Sequence, residues 1–303
     1  RKIMSEGYSA TLLTDSTYAL ATIITANEIA RTKLFERIEV FLFPPFENRT
    51  FIQALINIAH IQSVQLSIKP IQSLPYTGWV TGCMFNDTVM AKLVTPYGQE
   101  NNISMFIDSG FWITNQDAAK SYIADILERF NYSEKPVGAI TKASNCDKLH
   151  AISAALILWN KQLLNKINFL ERSVKSFEEL RVEQKLSCPE QDVMQHTLTP
   201  QEVFTLDTNK HWHTQDLNQG FWYPPSREHP NLEPSKMFFK FTGHYKPWIT
   251  TFLNPQKKLF LDKATETAQE IKVDLINCIE FYDHRQNALQ NFQDKRDIKY
   301  CNL

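Results

Sequence analysis

The sequence predicts an α/β fold built on a mostly parallel sheet. Two observations lead to this prediction: strand-like and helix-like segments alternate through the first half, and two predicted strands end on an aspartate. Only eight glycines occur in 303 residues, and neither GxGxxG nor GxxxxGK[ST] is present. This argues against a dinucleotide-binding Rossmann motif and against a P-loop. The length suits one large α/β domain or two smaller ones.

The first half of the chain reads as a β-α-β-α series. SATLLT is a buried strand, and Asp15 and Ser16 can cap the helix that follows it. Parallel strands of such a series bind ligands at their carboxyl ends, where Asp15 and Asp108 are expected to lie together. In chain order the pattern predicts a helix at 17–32, a strand at 37–43, a helix at 51–60, a strand at 64–71, a helix at 87–93 and one strand at 104–113.

The second half predicts a different arrangement, ending in a helical tail. We divide the chain into a main domain, 1–255, and a C-terminal helical extension, 256–303. His211 and His213 fall in a polar, aromatic segment that reads as irregular, and we interpret them as loop residues. The predicted elements are strands at 135–141 and 150–159, one charged helix at 161–177, a helix at 189–198, the irregular segment at 209–234, a strand at 236–241 and helices within 259–294.

Composition narrows the functional class and the compartment. The formal net charge is −1, from 32 basic and 33 acidic residues, so no overall field favours a nucleic-acid partner. Five scattered cysteines form no CxxC pair, which favours a reducing, cytoplasmic compartment. No run approaches the roughly 20 apolar residues of a membrane helix. Nothing in the sequence indicates an oligomeric state.

Five landmarks occur in order along the chain: LLTDSTYA, TVMAKL, FIDSGFWI, PEQDVMQ and FTGHYKPW. Together they resemble the family 8 retaining glycosyltransferases, GT-A-fold enzymes that include bacterial lipopolysaccharide galactosyl- and glucosyltransferases. The resemblance spans about residues 8–250. It implies a GT-A-like, Rossmann-type sheet flanked by helices. It also implies transfer of a hexose from a UDP-sugar to a hydroxyl of a glycan or lipopolysaccharide-type acceptor, with retention. A divalent Mn²⁺ or Mg²⁺ cofactor and peripheral association with the inner membrane face follow from the same resemblance.

The resemblance also assigns residues to the donor nucleotide and its sugar. Lys246 matches the lysine that grips the diphosphate, and Lys92 stands where the family usually has an arginine that reaches the donor. Gln191 and Asp192 match a motif beside the anomeric carbon, and with Lys240 they are our candidate catalytic residues. The complete set implied to contact the donor is Asp15, Tyr18, Lys92, Asp108, Glu190, Gly243, Lys246 and Trp248.

The metal motif departs from the family pattern. Asp108 matches the first acid of Asp-x-Asp, but Gly110 stands at the second acid and Lys240 at the metal-binding histidine. A protonated lysine cannot ligate a metal, so we hypothesise that the Lys240 ammonium lies near the position of the missing ion. There it would pair with Asp108 or stabilise the departing diphosphate, and catalysis would survive chelation. Ile152 stands where the family has a sugar-binding asparagine.

Structural roles compete with each assignment. Asp15 is also a possible helix cap, and Gln191 and Asp192 are also ordinary first-turn helix residues. Asp108 is alternatively a solvated strand-end acid, and Lys240 the exposed face of an alternating strand. Two other protein classes stay open: a degenerate relative that binds nucleotide sugar or glycan without turnover, and an α/β interaction module with a helical tail.

Overall fold

The structure is a computed structural model of the chain. It describes residues 7–43, 46–74, 88–143, 149–183, 185–186, 189–206, 212–216, 237–242 and 255–275. Within these residues the fold is α/β, with a mixed, mostly parallel seven-stranded sheet flanked by helices, as the sequence predicts.

Ten strands run through the described residues. In chain order they are β1 (Ser9–Thr14), β2 (Arg37–Leu42), β3 (Gln65–Pro70), β4 (Ile103–Ile107), β5 (Phe111–Ile113), β6 (Val137–Ala143), β7 (Leu149–Asn160), β8 (Val203–Thr205), β9 (Trp212–Asp216) and β10 (Phe238–Thr242).

The main sheet has the strand order β3-β2-β1-β4-β7-β6-β8. Its first four strands are mutually parallel. The long strand β7 is antiparallel to both β4 and β6, and β8 returns parallel to β6. A second sheet has the order β5-β10-β9, with β10 antiparallel to β5 and parallel to β9. The β4–β5 connection therefore joins the two sheets.

Helices cover both faces of the main sheet. They are α1 (Ala19–Arg31), α2 (Arg49–Gln62), α3 (Thr88–Ala91), α4 (Thr95–Gly98), α5 (Gln116–Tyr132), α6 (Lys161–Lys166), α7 (Phe169–Val182), α8 (Pro189–Thr197) and α9 (Pro255–Ile271). No helix in this described part of the chain has both the length and the apolar character needed to cross a membrane.

The core consists of two hydrophobic clusters, one on each face of the sheet. All six residues of β1 are buried, and its neighbours Leu12 and Leu13 belong to different clusters. This is the pattern of a central strand that is covered on both faces. Residues of α1, α2, α5 and α9 build the first cluster, and residues of α3, α6, α7 and α8 build the second.

The last described helix is part of the first cluster. Phe260 and Ala264 of α9 are buried in that cluster. Lys263 lies 2.8 Å from the carboxylate of Glu28 on α1. The residue before it on α1, Asn27, donates a 2.8 Å hydrogen bond to Glu270. Although our predicted boundary at 255 assigns α9 to an extension, α9 packs directly on α1.

Two predicted elements are wrong because the chain turns inside them. The single helix predicted at 161–177 is two helices, α6 and α7, because Asn168 between them adopts a left-handed backbone with φ 50°. The single strand predicted at 104–113 is two strands in different sheets. The chain turns at 108–110, where Gly110 has φ 82°, a conformation that glycine adopts at little cost.

Two further local predictions also need correction. The segment predicted to be irregular contains β9, so His213 is a strand residue, whereas His211 lies outside the described residues. Helix α1 begins after Tyr18 as its N-cap, with no side-chain cap at that position. Asp15 acts one step earlier, on the backbone of the turn that leads into the helix.

Candidate functional site

The candidate site lies where β1 and β4 end. These strands are parallel neighbours, with Thr11 paired to Phe106. Asp15 follows directly after β1, and Asp108 follows directly after β4. The two acids therefore lie at the same edge of the sheet, which is the edge where open α/β sheets bind ligands.

Asp15 organises the turn between β1 and α1. Its Oδ1 accepts hydrogen bonds from the backbone N–H groups of Thr17, at 2.8 Å, and Tyr18, at 3.0 Å. The Tyr18 carbonyl in turn accepts a hydrogen bond from the Thr22 hydroxyl at 2.9 Å. Asp15 and Tyr18 are both half-buried, so the turn is fixed while its side chains remain partly accessible.

Asp108 is fixed by its backbone and by an ion pair. Its N–H donates to the carbonyl of Ala155 on β7 at 3.0 Å. Its Oδ1 lies 2.8 Å from Nζ of Lys92, and its side chain is 22% exposed. The predicted strand-end acid is therefore anchored to β7 and neutralised locally by a lysine.

Lys92 lies between two carboxylates. Its Nζ is 3.4 Å from Oε1 of Glu190 as well as 2.8 Å from Asp108, and it lies 5.8 Å from the Phe106 ring centroid. Burial alone would lower the pKa of Lys92, but the charges of Asp108 and Glu190 and the hydrogen bonds to them raise the pKa above its usual value. The ammonium is therefore charged. We call Lys92, Asp108 and Glu190 the Lys92 cluster.

Lys92 is held in place by the residues around it in sequence. Its neighbours Met90, Ala91, Leu93 and Val94 are fully buried in the second hydrophobic cluster. The polar Lys92 side chain thus extends from a tightly packed segment toward the strand ends, and its ammonium position is set by packing.

Glu190 comes from the first turn of α8. Pro189 opens this helix, and acidic residues in a first turn are favoured by the helix dipole. Glu190 is only 4% exposed. Gln191 and Asp192 are half-buried in the same turn. The structure therefore brings TVMAKL, FIDSGFWI and PEQDVMQ together through Lys92, Asp108 and Glu190.

Hydroxyl groups on α1 hold the turn that presents Asp108. The side chains of Thr22 and Ser109 share a 2.7 Å hydrogen bond. The Thr25 hydroxyl accepts from the backbone N–H groups of Gly110 and Phe111, both at 3.2 Å. Sequence reasoning missed these residues. The signal was present, because two threonines spaced i, i+3 interrupt an otherwise apolar stretch of α1.

The closing motif remains a prediction. The backbone of Lys240 lies in β10 and pairs with Phe111 of β5, but its side chain lies outside what the structure describes. Gly243, Lys246 and Trp248 also lie outside the described residues. Ile152, at the position of the family's asparagine, is 1% exposed in the second hydrophobic cluster.

The described residues do not fit a divalent metal at Asp108. Its carboxylate already contacts the Lys92 ammonium, and Gly110 offers no side chain. The Ser109 hydroxyl is turned into the protein, toward Thr22 and the Leu13 carbonyl. In the described part of the chain, no group of three or more His, Cys, Asp or Glu side chains is arranged to hold a metal ion.

The fold is shared with solved glycosyltransferase structures. An active-site mutant of the galactosyltransferase LgtC superposes with a TM-score of 0.58 at 12% identity, covering 85% of this chain and 95% of LgtC. GlyE from Streptococcus pneumoniae TIGR4 gives 0.58 at 12%, covering 92% of this chain and 64% of GlyE. The bifunctional glycosyltransferase WbbM gives 0.57 at 14%, covering 90% and 52%. The sequence itself matches no protein-family model and no curated protein significantly.

Proposed function

We propose that this protein is a retaining glycosyltransferase of the family 8 type. It transfers a hexose from a UDP-sugar to a hydroxyl group of a glycan acceptor. The observation that carries the proposal is the contact of Lys92 with Asp108 and Glu190, at the sheet edge where Asp15 also lies. These residues come from landmarks far apart in the sequence. The shared fold supports the same conclusion, since LgtC was solved with donor and acceptor sugar analogues.

The proposed roles follow from position and charge. Asp15 and Tyr18, in the fixed turn after β1, hold the uracil base. Gln191 and Asp192, in the first turn of α8, bind the donor sugar. Lys246 holds the diphosphate.

The geometry changes the role that we propose for Lys92. Its ammonium contacts Asp108 and Glu190, so its first task is to orient those carboxylates, in preference to binding the phosphates. In a front-face reaction the acceptor oxygen bonds to the anomeric carbon as the bond to the diphosphate oxygen breaks. The departing diphosphate then takes the acceptor's proton.

The acceptor and the location belong to the same proposal. A lipopolysaccharide-type glycan at the cytoplasmic face of the inner membrane is the acceptor that the family resemblance favours. Peripheral association with that membrane would bring the site to such an acceptor.

The test is UDP release from a panel of UDP-sugars, with added glycan acceptors or water alone. The wild type should release UDP from at least one donor, and Asp108→Asn should lower the rate about 10²-fold or more, as for loss of a preorganised charged group. Asp125→Asn is the matched control, since Asp125 lies in an exposed ion pair with Arg129 on α5. Absence of both UDP release and UDP binding would overturn the proposal.

A second candidate is a protein that binds a nucleotide sugar without turning it over. Ile152 favours it, because a buried apolar side chain stands where the family pattern has a sugar-binding asparagine. Gly110, in place of the second acid, points the same way. Measurable UDP binding without UDP release from any donor would select this candidate.

A further inference from the structure

The arrangement of the Lys92 cluster is that of an occupied cation site. Two carboxylates converge on one point, and the atom at that point is Nζ of Lys92. Carboxylate oxygens are the ligands that divalent cations such as Mg²⁺ and Mn²⁺ prefer. In this chain an ammonium group attached to the protein takes that place.

Three features fix the ammonium there. Lys92 is only 12% exposed at its side chain, and Glu190 only 5%, so neither has freedom to move into solvent. The backbone segment around Lys92 is fully buried. The Asp108 backbone is bonded to β7, and its turn is bonded to α1.

We propose that the Lys92 ammonium is a built-in cation that replaces a divalent metal on Asp108, so that the site binds its nucleotide donor without metal. This inference deepens the proposed function and rests on it for the identity of the donor. The inference adds Lys92 to our sequence hypothesis, which placed Lys240 near the missing ion and stays a prediction because the Lys240 side chain lies outside the described residues.

The proposal predicts a gain of metal binding when the lysine charge is removed. In Lys92→Met the side chain keeps its approximate length but loses its charge. The carboxylates of Asp108 and Glu190 then face a position that no longer holds the Lys92 ammonium. We expect Mn²⁺ affinity, measured by electron paramagnetic resonance on the full chain, to rise at least about ten-fold, since carboxylate charge sets the affinity of such sites. The gain should disappear in the double variant Lys92→Met/Asp108→Asn.

The wild type provides the reciprocal test. Mn²⁺ binding should be the same in wild type and Asp108→Asn, and EDTA should change the Kd for UDP, measured calorimetrically, by less than about two-fold. Lys92→Arg, which keeps the charge, should gain no Mn²⁺ binding. Lys175→Met is the control and should gain no Mn²⁺ binding. The exposed Lys175 side chain pairs with a single carboxylate, that of Glu179 one turn further along α7, so removing its charge leaves no pair of converging carboxylates.

Several outcomes would overturn the inference. Mn²⁺ binding to the wild type that Asp108→Asn abolishes would show a metal on Asp108. A folded Lys92→Met that gains no Mn²⁺ would show that the two carboxylates do not form a cation position. If Lys92→Met does not fold, the comparison of wild type with Asp108→Asn decides. Failure to bind UDP would count against the proposed function instead, and the Mn²⁺ measurements would still decide this inference.

Discussion

Glu28 and Lys92 are both buried charged residues, but the groups around them differ. Glu28 is 1% exposed and is surrounded by donors. It accepts from the N–H of Ile113 and from the amide of Gln116, each at 3.2 Å, and it lies 2.8 Å from Lys263. Those partners belong to β5, α5 and α9, so one carboxylate joins them all to α1. We call these residues the Glu28 cluster.

The two clusters differ in the kind of partners that surround the buried charge and in their place in the fold. Buried charges are tolerated when they are paired and hydrogen-bonded. The Glu28 cluster meets this condition with backbone and side-chain donors and lies away from the β1 and β4 strand ends. In the Lys92 cluster one ammonium contacts both carboxylates, and the cluster lies at those strand ends. We infer that the first cluster is structural, and that the second is arranged for a ligand.

The largest effect that this comparison predicts is on stability. Glu28→Gln removes the charge that Lys263 and the surrounding donors face, and breaking a buried pair costs about 3–5 kcal/mol. Urea denaturation should show a loss of that size in the free energy of unfolding. Asp125→Asn, in an exposed pair, should cost less than about 0.5 kcal/mol. Equal losses in the free energy of unfolding for the two variants would contradict a structural role for Glu28.

Glu190→Gln should slow the reaction more than it lowers stability, which is the opposite of what we expect for Glu28→Gln. The neutral amide no longer pairs with Lys92, and we expect UDP release to fall about 10²-fold, equivalent to roughly 2.7 kcal/mol of barrier. The loss of stability should be smaller than for Glu28→Gln. Glu28→Gln should keep its rate of UDP release per folded molecule, measured under conditions where it remains native. A slow but fully folded Glu28→Gln would contradict the separation of the two clusters.

Sequence patterns predicted the positions of the parallel strands well and the turns and connections between elements poorly. Short apolar segments between predicted helices indicated β1 and β4. Because strands in a β-α-β series run parallel, Asp15 and Asp108 were expected at the same edge of the sheet. The pairing of Lys92 with Glu190 could not be predicted, because it depends on how α8 packs against β7. The turn at Gly110 was missed because FIDSGFWI is apolar on both sides, and apolar character alone does not show where a strand changes sheets.

Thr25 tests whether the Lys92 cluster depends on its support from α1. Thr25→Val keeps the side-chain shape but leaves the N–H groups of Gly110 and Phe111 without their hydroxyl acceptor. Leaving buried donors unsatisfied should cost about 1–3 kcal/mol in the free energy of unfolding. UDP binding should also weaken, because the turn that presents Asp108 loses its anchor. Thr265→Val is the control, since the exposed Thr265 hydroxyl donates to the Leu261 carbonyl within α9.

The smallest predicted effect concerns a partly exposed ion pair, which can be compared with the two buried clusters. Arg172 binds Glu202 through two hydrogen bonds, of 2.6 and 2.9 Å, and Glu202 also accepts from the Thr199 N–H. Burial by itself would raise the pKa of Glu202, but these bonds outweigh it and hold the pKa below its usual value. The unfolded chain therefore binds a proton at Glu202 at a higher pH than the folded chain does.

That sign fixes the pH window of the effect. The stabilisation should be fully present above the ordinary glutamate pKa of about 4.3, and it should be lost as the pH falls through the depressed folded pKa. The difference in free energy of unfolding between wild type and Glu202→Gln should be below about 1 kcal/mol at pH 7 and should shrink under acid. A difference that stays constant from pH 7 to about pH 3 would mean that packing, rather than the charge, stabilises this pair.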